Sequence, residues 1–160
     1  MADSLLRVAM AASNNGYRAK IHDSVVSGAI TASTFTALPE NTTDYDPLTM
    51  ATIANPAKIT VDVDGYYIAV MRTSYLGNVD GTRMSAGLWV NRQGGGLTEA
   101  VRGSDISGGG ISFVVMPTCG LLKLLGGDAV EAVIFTTTGA STTAGVSALN
   151  TLELVFVGPS

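Results

Sequence analysis

Reactive side chains, charge and aromatic rings are all scarce in this 160-residue chain. It has one cysteine, Cys119, and one histidine, His22. No disulfide can form within it, so nothing requires an oxidising compartment. A catalytic thiol needs a base and an orienting group in one pocket, and no motif surrounds either residue. Cys119 therefore reads as a structural thiol and the chain as a non-enzyme, with no catalytic residues and no cofactor. Glycine clusters at 94–96, 108–110 and 126–127 lack the Gly-x-x-x-x-Gly-Lys-Ser/Thr spacing that cradles phosphate. They suit tight turns and open loops instead.

Basic residues number 9 against 13 acidic ones, a net charge of −4. Phosphate binding needs a cationic surface, so nucleic acid is not an expected partner. Arg83, Arg92 and Arg102 are scattered, and an aromatic content of 6% is thin for stacking bases. No membrane partner is expected either. The uncharged stretch at 132–152 is broken by threonine and glycine at 136–139 and 142–145, so it is not a continuous apolar span. Asp3 and Arg7 do not fit a secretory signal. Only 14% of residues are charged while 46% are hydrophobic. A soluble domain usually has about 25% charged residues. Apolar surface hidden between copies of the chain accounts for the shortage; the plainer account is a polar but uncharged surface rich in Thr and Ser.

What the chain does have is period-two alternation. Ile59, Val61 and Val63 alternate with polar residues, and Asp64-Gly65 then breaks the run before Tyr66, which reads as two strands meeting at a tight turn or bend. In Arg83–Asn91, Met84, Ala86, Leu88 and Val90 share one face and Trp89 takes the other. Ile111–Met116, apolar apart from Ser112, is read as a strand covered on both faces, and Leu121–Leu125 and Ala129–Phe135 follow as separate strands. Leu149–Val157 closes the chain, with Leu152, Leu154 and Phe156 alternating against Glu153, Val155 and Val157. Short β-prone pieces are expected at Ala29–Thr34, Phe35–Leu38 and Met50–Ile53, and a polar loop at Pro39–Pro47. No stretch has the length and 3.6-residue period of a long helix. The reading is an all-β, antiparallel sandwich over 17–160, preceded by a short N-terminal arm at 1–16 that ends in the turn signal Asn14-Asn15-Gly16.

Asp62-Val63-Asp64-Gly65 looks like a fragment of a calcium loop, but it lacks the further oxygen ligands and distal Glu of a complete one. It reads as an acidic strand end, and no metal is assigned.

In their order and spacing these residues resemble the tumour-necrosis-factor/complement-C1q-like jelly roll. Ile59–Ile68 is similar to that family's apolar strand leading into Gly-x-Tyr, here Gly65-Tyr66-Tyr67. Gly81–Met84 leading to Leu88–Asn91 is similar to its next strand. Leu122–Glu131, with Gly127-Asp128-Ala129-Val130, resembles its Leu-x-x-Gly-Asp-x-Val element, and Leu152–Gly158 its last strand. The resemblance implies a ten-strand jelly roll that forms a compact homotrimer, with small residues and aromatics of one sheet meeting near the threefold axis. On that view Tyr66, Tyr67, Trp89 and Phe156 are candidates for the trimer interface or the core.

Asp44-Tyr45-Asp46, Asn55-Pro56-Ala57-Lys58 and the Thr/Gly-rich strands make the chain most similar to jelly rolls of tailed-bacteriophage particles. No collagen-like stalk or membrane anchor is expected. The resemblance then implies a structural virion protein: a homotrimeric capsid decoration (cement) protein on the capsid surface, assembled in the cytoplasm of the host bacterium. Its expected partners are itself and the major capsid protein. Leu5, Leu6, Val8 and Met10 of the arm would contact the shell. The alternative is a receptor-binding or adhesion module of a tail or head fibre, using the loops at 39–47, 77–81 and 94–110.

Overall fold

The computed structural model describes residues 17–24, 30–54, 56–76, 81–93, 95–103, 106–108, 113–138, 142–143 and 150–160. Within them lie the strands β1 (Arg18–His22), β2 (Thr36–Ala37), β3 (Thr42–Tyr45), β4 (Ala51–Thr52), β5 (Lys58–Thr60), β6 (Gly65–Leu76), β7 (Thr82–Arg92), β8 (Gly96–Arg102), β9 (Ile106–Gly108), β10 (Phe113–Leu124), β11 (Ala129–Thr136), β12 (Thr142–Thr143) and β13 (Thr151–Gly158). The arm, with Leu5, Leu6, Val8 and Met10, lies outside the described residues.

The strands form two antiparallel sheets. The first runs β10-β6-β13-β1-β3, with β12 also on β6; the second runs β4-β5-β11-β7-β8, with β2 also on β11 and β9 on β7. Period two sorts the side chains. Tyr67, Ala69 and Met71 of β6 and Leu152, Leu154 and Phe156 of β13 point inward from the first sheet, and all are buried. Met84, Ala86, Leu88 and Val90 of β7 meet them from the second sheet, as the sequence leads one to expect. Each such large side chain contributes about 1.5–3 kcal/mol by leaving water.

The bend expected before Tyr66 is present, and three other expectations need correction. The strands it joins do not pair with each other: β5 pairs with β4 and β11 in the second sheet, while β6 pairs with β10 and β13 in the first. The bend between them is a crossover from sheet to sheet. It is held by the Asp62 N–H donating to the Tyr17 hydroxyl (2.6 Å) and by the Tyr67 hydroxyl donating to the Val63 carbonyl (2.7 Å). The runs on either side of Pro117 are one strand, β10. Proline lacks the N–H a central strand needs, but among the described residues β10 is the sheet's edge and pairs with β6 alone, so the residue is tolerated. The polar loop at 39–47 contains a strand, β3, which adds to β1 from Thr42 to Tyr45. Conversely, within 29–38 the described strand is only the two residues of β2, and Ser33 takes a left-handed φ of 55°.

Candidate self-association face

The outward residues of the first sheet line up in rows across its strands. One row reads Leu121, Ile68, Val155, Arg18; the next reads Cys119, Val70, Glu153, Lys20, Tyr45; a third reads Pro117, Arg72, Thr151, His22, Thr42. Tyr66, opposite Lys123, and Val157, at a bulge in β13, extend the first row toward one end. Leu121 is 63% exposed, Val157 56%, Ile68 44% and Tyr66 40%. Val70 and Val155 between them are half-buried. Large apolar side chains from three neighbouring strands thus share one open face. Neighbouring exposed apolar side chains of this kind make the face a candidate for contact with another molecule.

The backbone beneath this patch is shaped by packing. A Cβ on Gly65 would run into the Phe156 ring and stand 2.7 Å from the Gly158 carbonyl oxygen. With only hydrogen there, Phe156 lies against Gly65 and meets Tyr67 edge-on, with ring centroids 5.3 Å apart; Tyr17 closes the group at 6.0 Å from Tyr67 and 6.1 Å from Phe156. Burial pushes the Tyr67 hydroxyl well above the usual phenol range. This cluster gives the Gly-x-Tyr spacing its physical reason.

The Gly-Asp element is likewise a fastening. Gly127 takes a φ of 95°, which a side chain would strain, and donates its N–H to the Val61 carbonyl at 2.6 Å. Asp128 accepts from the N–H groups of Leu125 (3.0 Å) and Gln93 (3.2 Å) and pairs with Arg92 at 2.6 Å. Burial alone would raise its carboxyl; these donors outweigh that and hold it below the usual carboxylate range.

Toward β1 and β3 the same outer face changes character. Arg18 pairs with Glu153 at 2.9 Å and lies over the Tyr45 ring, 5.2 Å from its centroid. Asp44 holds the Lys20 ammonium at 2.8 Å from one oxygen, and His22 Nδ1 lies 2.8 Å from the other. The Lys20 hydrogen bond is the main reason the Asp44 carboxyl sits below its ordinary range.

The four aromatic candidates fall in three places. Tyr66 stands on the open face. Tyr67 and Phe156 are in the core. Trp89 is half-buried on the outer face of the second sheet, where Phe35 lies 5.0 Å from it and 5.1 Å from Phe135. Ile68, Leu121, Val155 and Val157 carry most of the open face and were not singled out from the sequence. The signal was present in Tyr66–Met71, a run apolar at successive positions and so apolar on both faces of its strand.

Other candidates separate. Cys119 is an exposed free thiol on β10, and His22 is on β1, with β6 and β13 between. Three strand spacings are roughly 14 Å, beyond hydrogen-bond reach. Asp64 accepts the Gly126 N–H at 2.8 Å, and Asp46 accepts those of Met50 and Ala51 at 2.8 Å each. Among the described residues no group of three or more His, Cys, Asp or Glu is placed to hold a metal ion.

Two antiparallel sheets in this order, packed on one core, make the fold a jelly roll of the tumour-necrosis-factor/C1q type. Solved structures similar to it include Eiger TNF from S. frugiperda, with a TM-score of 0.66 at 17% identity, covering 89% of this chain and 93% of that one. Murine APRIL matches with a TM-score of 0.65 at 14% identity, over 88% of this chain and 98% of that one. The globular domain of zebrafish complement 1qA matches with a TM-score of 0.65 at 15% identity, over 91% and 99%. No family model matches the chain, and neither does any curated protein.

Proposed function

We propose that this chain is a structural, non-catalytic module that trimerises through the open face of its first sheet and serves as a decoration protein of a tailed-bacteriophage capsid. The observation that carries the self-association is the apolar patch of Tyr66, Ile68, Leu121 and Val157, set on three adjacent strands. Hiding it between copies also accounts for a chain with only 14% charged residues. The likeness to Eiger, APRIL and complement 1qA supports the jelly-roll frame on which such an assembly is built. The capsid role rests on the sequence resemblance to phage-particle jelly rolls.

The mechanism is mechanical. Each trimer would lie across a junction of capsid subunits, with Leu5, Leu6, Val8 and Met10 of each arm giving an apolar contact to the major capsid protein. Three linked weak contacts bind far more tightly than one, because the second and third form at high effective concentration. Attachment to the assembled shell alone would stabilise it by mass action.

Two measurements separate the parts of this reading. Light scattering on the full chain should give three chain masses; a single chain mass rules out the trimer. Removing residues 1–16 should leave the trimer intact and abolish sedimentation with empty capsids. Truncated protein that still sediments with shells rules out the arm. Full-length protein that ignores shells but attaches to host cells, and stops attaching once its loops are substituted, would replace decoration by adhesion.

A further inference from the structure

Between β2 and β3 the chain passes from the second sheet to the first over a short strap. It is pinned at both ends by the main chain: the Leu38 N–H donates to the Ala132 carbonyl of β11 at 2.8 Å, and the Asn41 N–H to the His22 carbonyl of β1 at 3.0 Å. Leu38 is fully buried in the core. Between the pins sits Glu40, 1% exposed, with neither carboxyl oxygen hydrogen-bonded to another residue. An unpartnered polar group is costly to bury, and an ionised carboxylate far more so.

The surrounding charges deepen that cost. Asp23, just after β1, and Glu131, on β11, are both buried, and each disfavours a charge on Glu40. Burial itself is the larger cause, and the N–H of Glu40's own backbone offsets only part of it. The lysines on the strands to either side interact elsewhere: Lys58 of β5 acts on Glu131, and Lys20 of β1 pairs with Asp44. Glu131 is itself pushed up by burial.

We propose that Glu40 is a proton-held latch: protonated, it lets the strap close the passage between the sheets, and ionised, it frees residues 38–41 from both pins. The sign follows from linkage. Closed, Glu40 keeps its proton to higher pH than it does in the open strap, where it behaves as an ordinary glutamate of about 4.3. The closed form is therefore fully favoured below that value and loses its advantage as pH rises toward the closed-state value. Within that window the opening equilibrium constant grows about tenfold per pH unit.

Amide hydrogen exchange on the full chain, from about pH 5 to about pH 9, reads this directly. The intrinsic rate of the same amides in the unfolded chain serves as the reference at each pH. Leu38 and Asn41 should exchange faster than Leu88 of central strand β7 and, corrected for the intrinsic rate, should speed up by about tenfold per pH unit across the window. In Glu40→Gln, which carries no charge, that extra dependence should vanish, and both amides should be slower than in the natural chain at the alkaline end. Corrected rates at Leu38 and Asn41 that stay flat across the window, or that never exceed the Leu88 rate, would overturn the proposal, and this arm needs no variant to fold. A folded Glu40→Gln chain that keeps the extra dependence would overturn it as well.

Discussion

The outer face of the first sheet divides along β13. On the side of β1 and β3 the charges pair within the chain, Arg18 with Glu153 and Lys20 with Asp44, and the His22 ring lies beside Asp44. On the side of β10 and β6, Tyr66, Ile68 and Leu121 stand open beside Val157. One half is satisfied by its own residues and by water. The other leaves apolar area in water that a neighbouring copy would remove. The two halves belong to one sheet and cover one core, so the difference between them lies in side-chain chemistry.

The comparison is most sharply broken by placing charge on the open half. Ile68→Asp with Leu121→Asp should reduce the light-scattering mass from three chains to one and leave the strand signal in circular dichroism unchanged. Central interface anchors of this size are worth about 2 kcal/mol or more apiece. Retention of the trimer by the double variant would place the interface on another face.

Next in size is the support beneath that half. Gly65→Ala puts a methyl group into the Phe156 ring and against the Gly158 carbonyl. Overpacking of this kind costs about 1–3 kcal/mol, seen as a lower denaturation midpoint. A change below about 0.5 kcal/mol would mean that the Tyr17-Tyr67-Phe156 cluster shifts freely.

On the charged half the effects are smaller and of another kind. Asp44→Asn removes two pairs and should cost about 1 kcal/mol, with the mass unchanged. Asp44 releases its proton more readily folded than unfolded, so its contribution is present at neutral pH and fades as pH falls below about 4. Urea titrations of the natural chain and Asp44→Asn should converge at acid pH; a gap that widens there would contradict the assignment. Arg18→Ala should cost least, about 0.5 kcal/mol, a loss that salt screens. A salt-independent loss would show instead that the Arg18 stem packs on Tyr45.

Much of this was legible in the chain, and what was not has identifiable causes. Met84, Ala86, Leu88 and Val90 announce their face because a strand half covered by a core must alternate. β3 stayed hidden because Thr42–Tyr45 has no buried apolar position; its pairing with β1 supplies what its composition does not. Pro117 disguised β10, since a proline ends a strand almost anywhere but at an edge, and edge position is a property of the sheet rather than of the run. Asp64-Gly65 has the composition of a hairpin turn, yet the flanking strands find better partners in different sheets. The open face was half visible: Tyr66 drew notice as an aromatic, but Ile68, Leu121 and Val157 form a patch only once β10, β6 and β13 are side by side.

Pro117 also bears on how copies of this chain can meet. β10 is a long border strand, the sort that recruits another chain by adding its own ladder of hydrogen bonds and continuing without end. A ring where a donor should be interrupts that ladder near its middle, and the border at the far side, β3, is only four residues long. Growth of the first sheet by strand addition is hindered at both of its margins, which favours contact through its broad face, the kind that closes on itself instead of propagating into fibres.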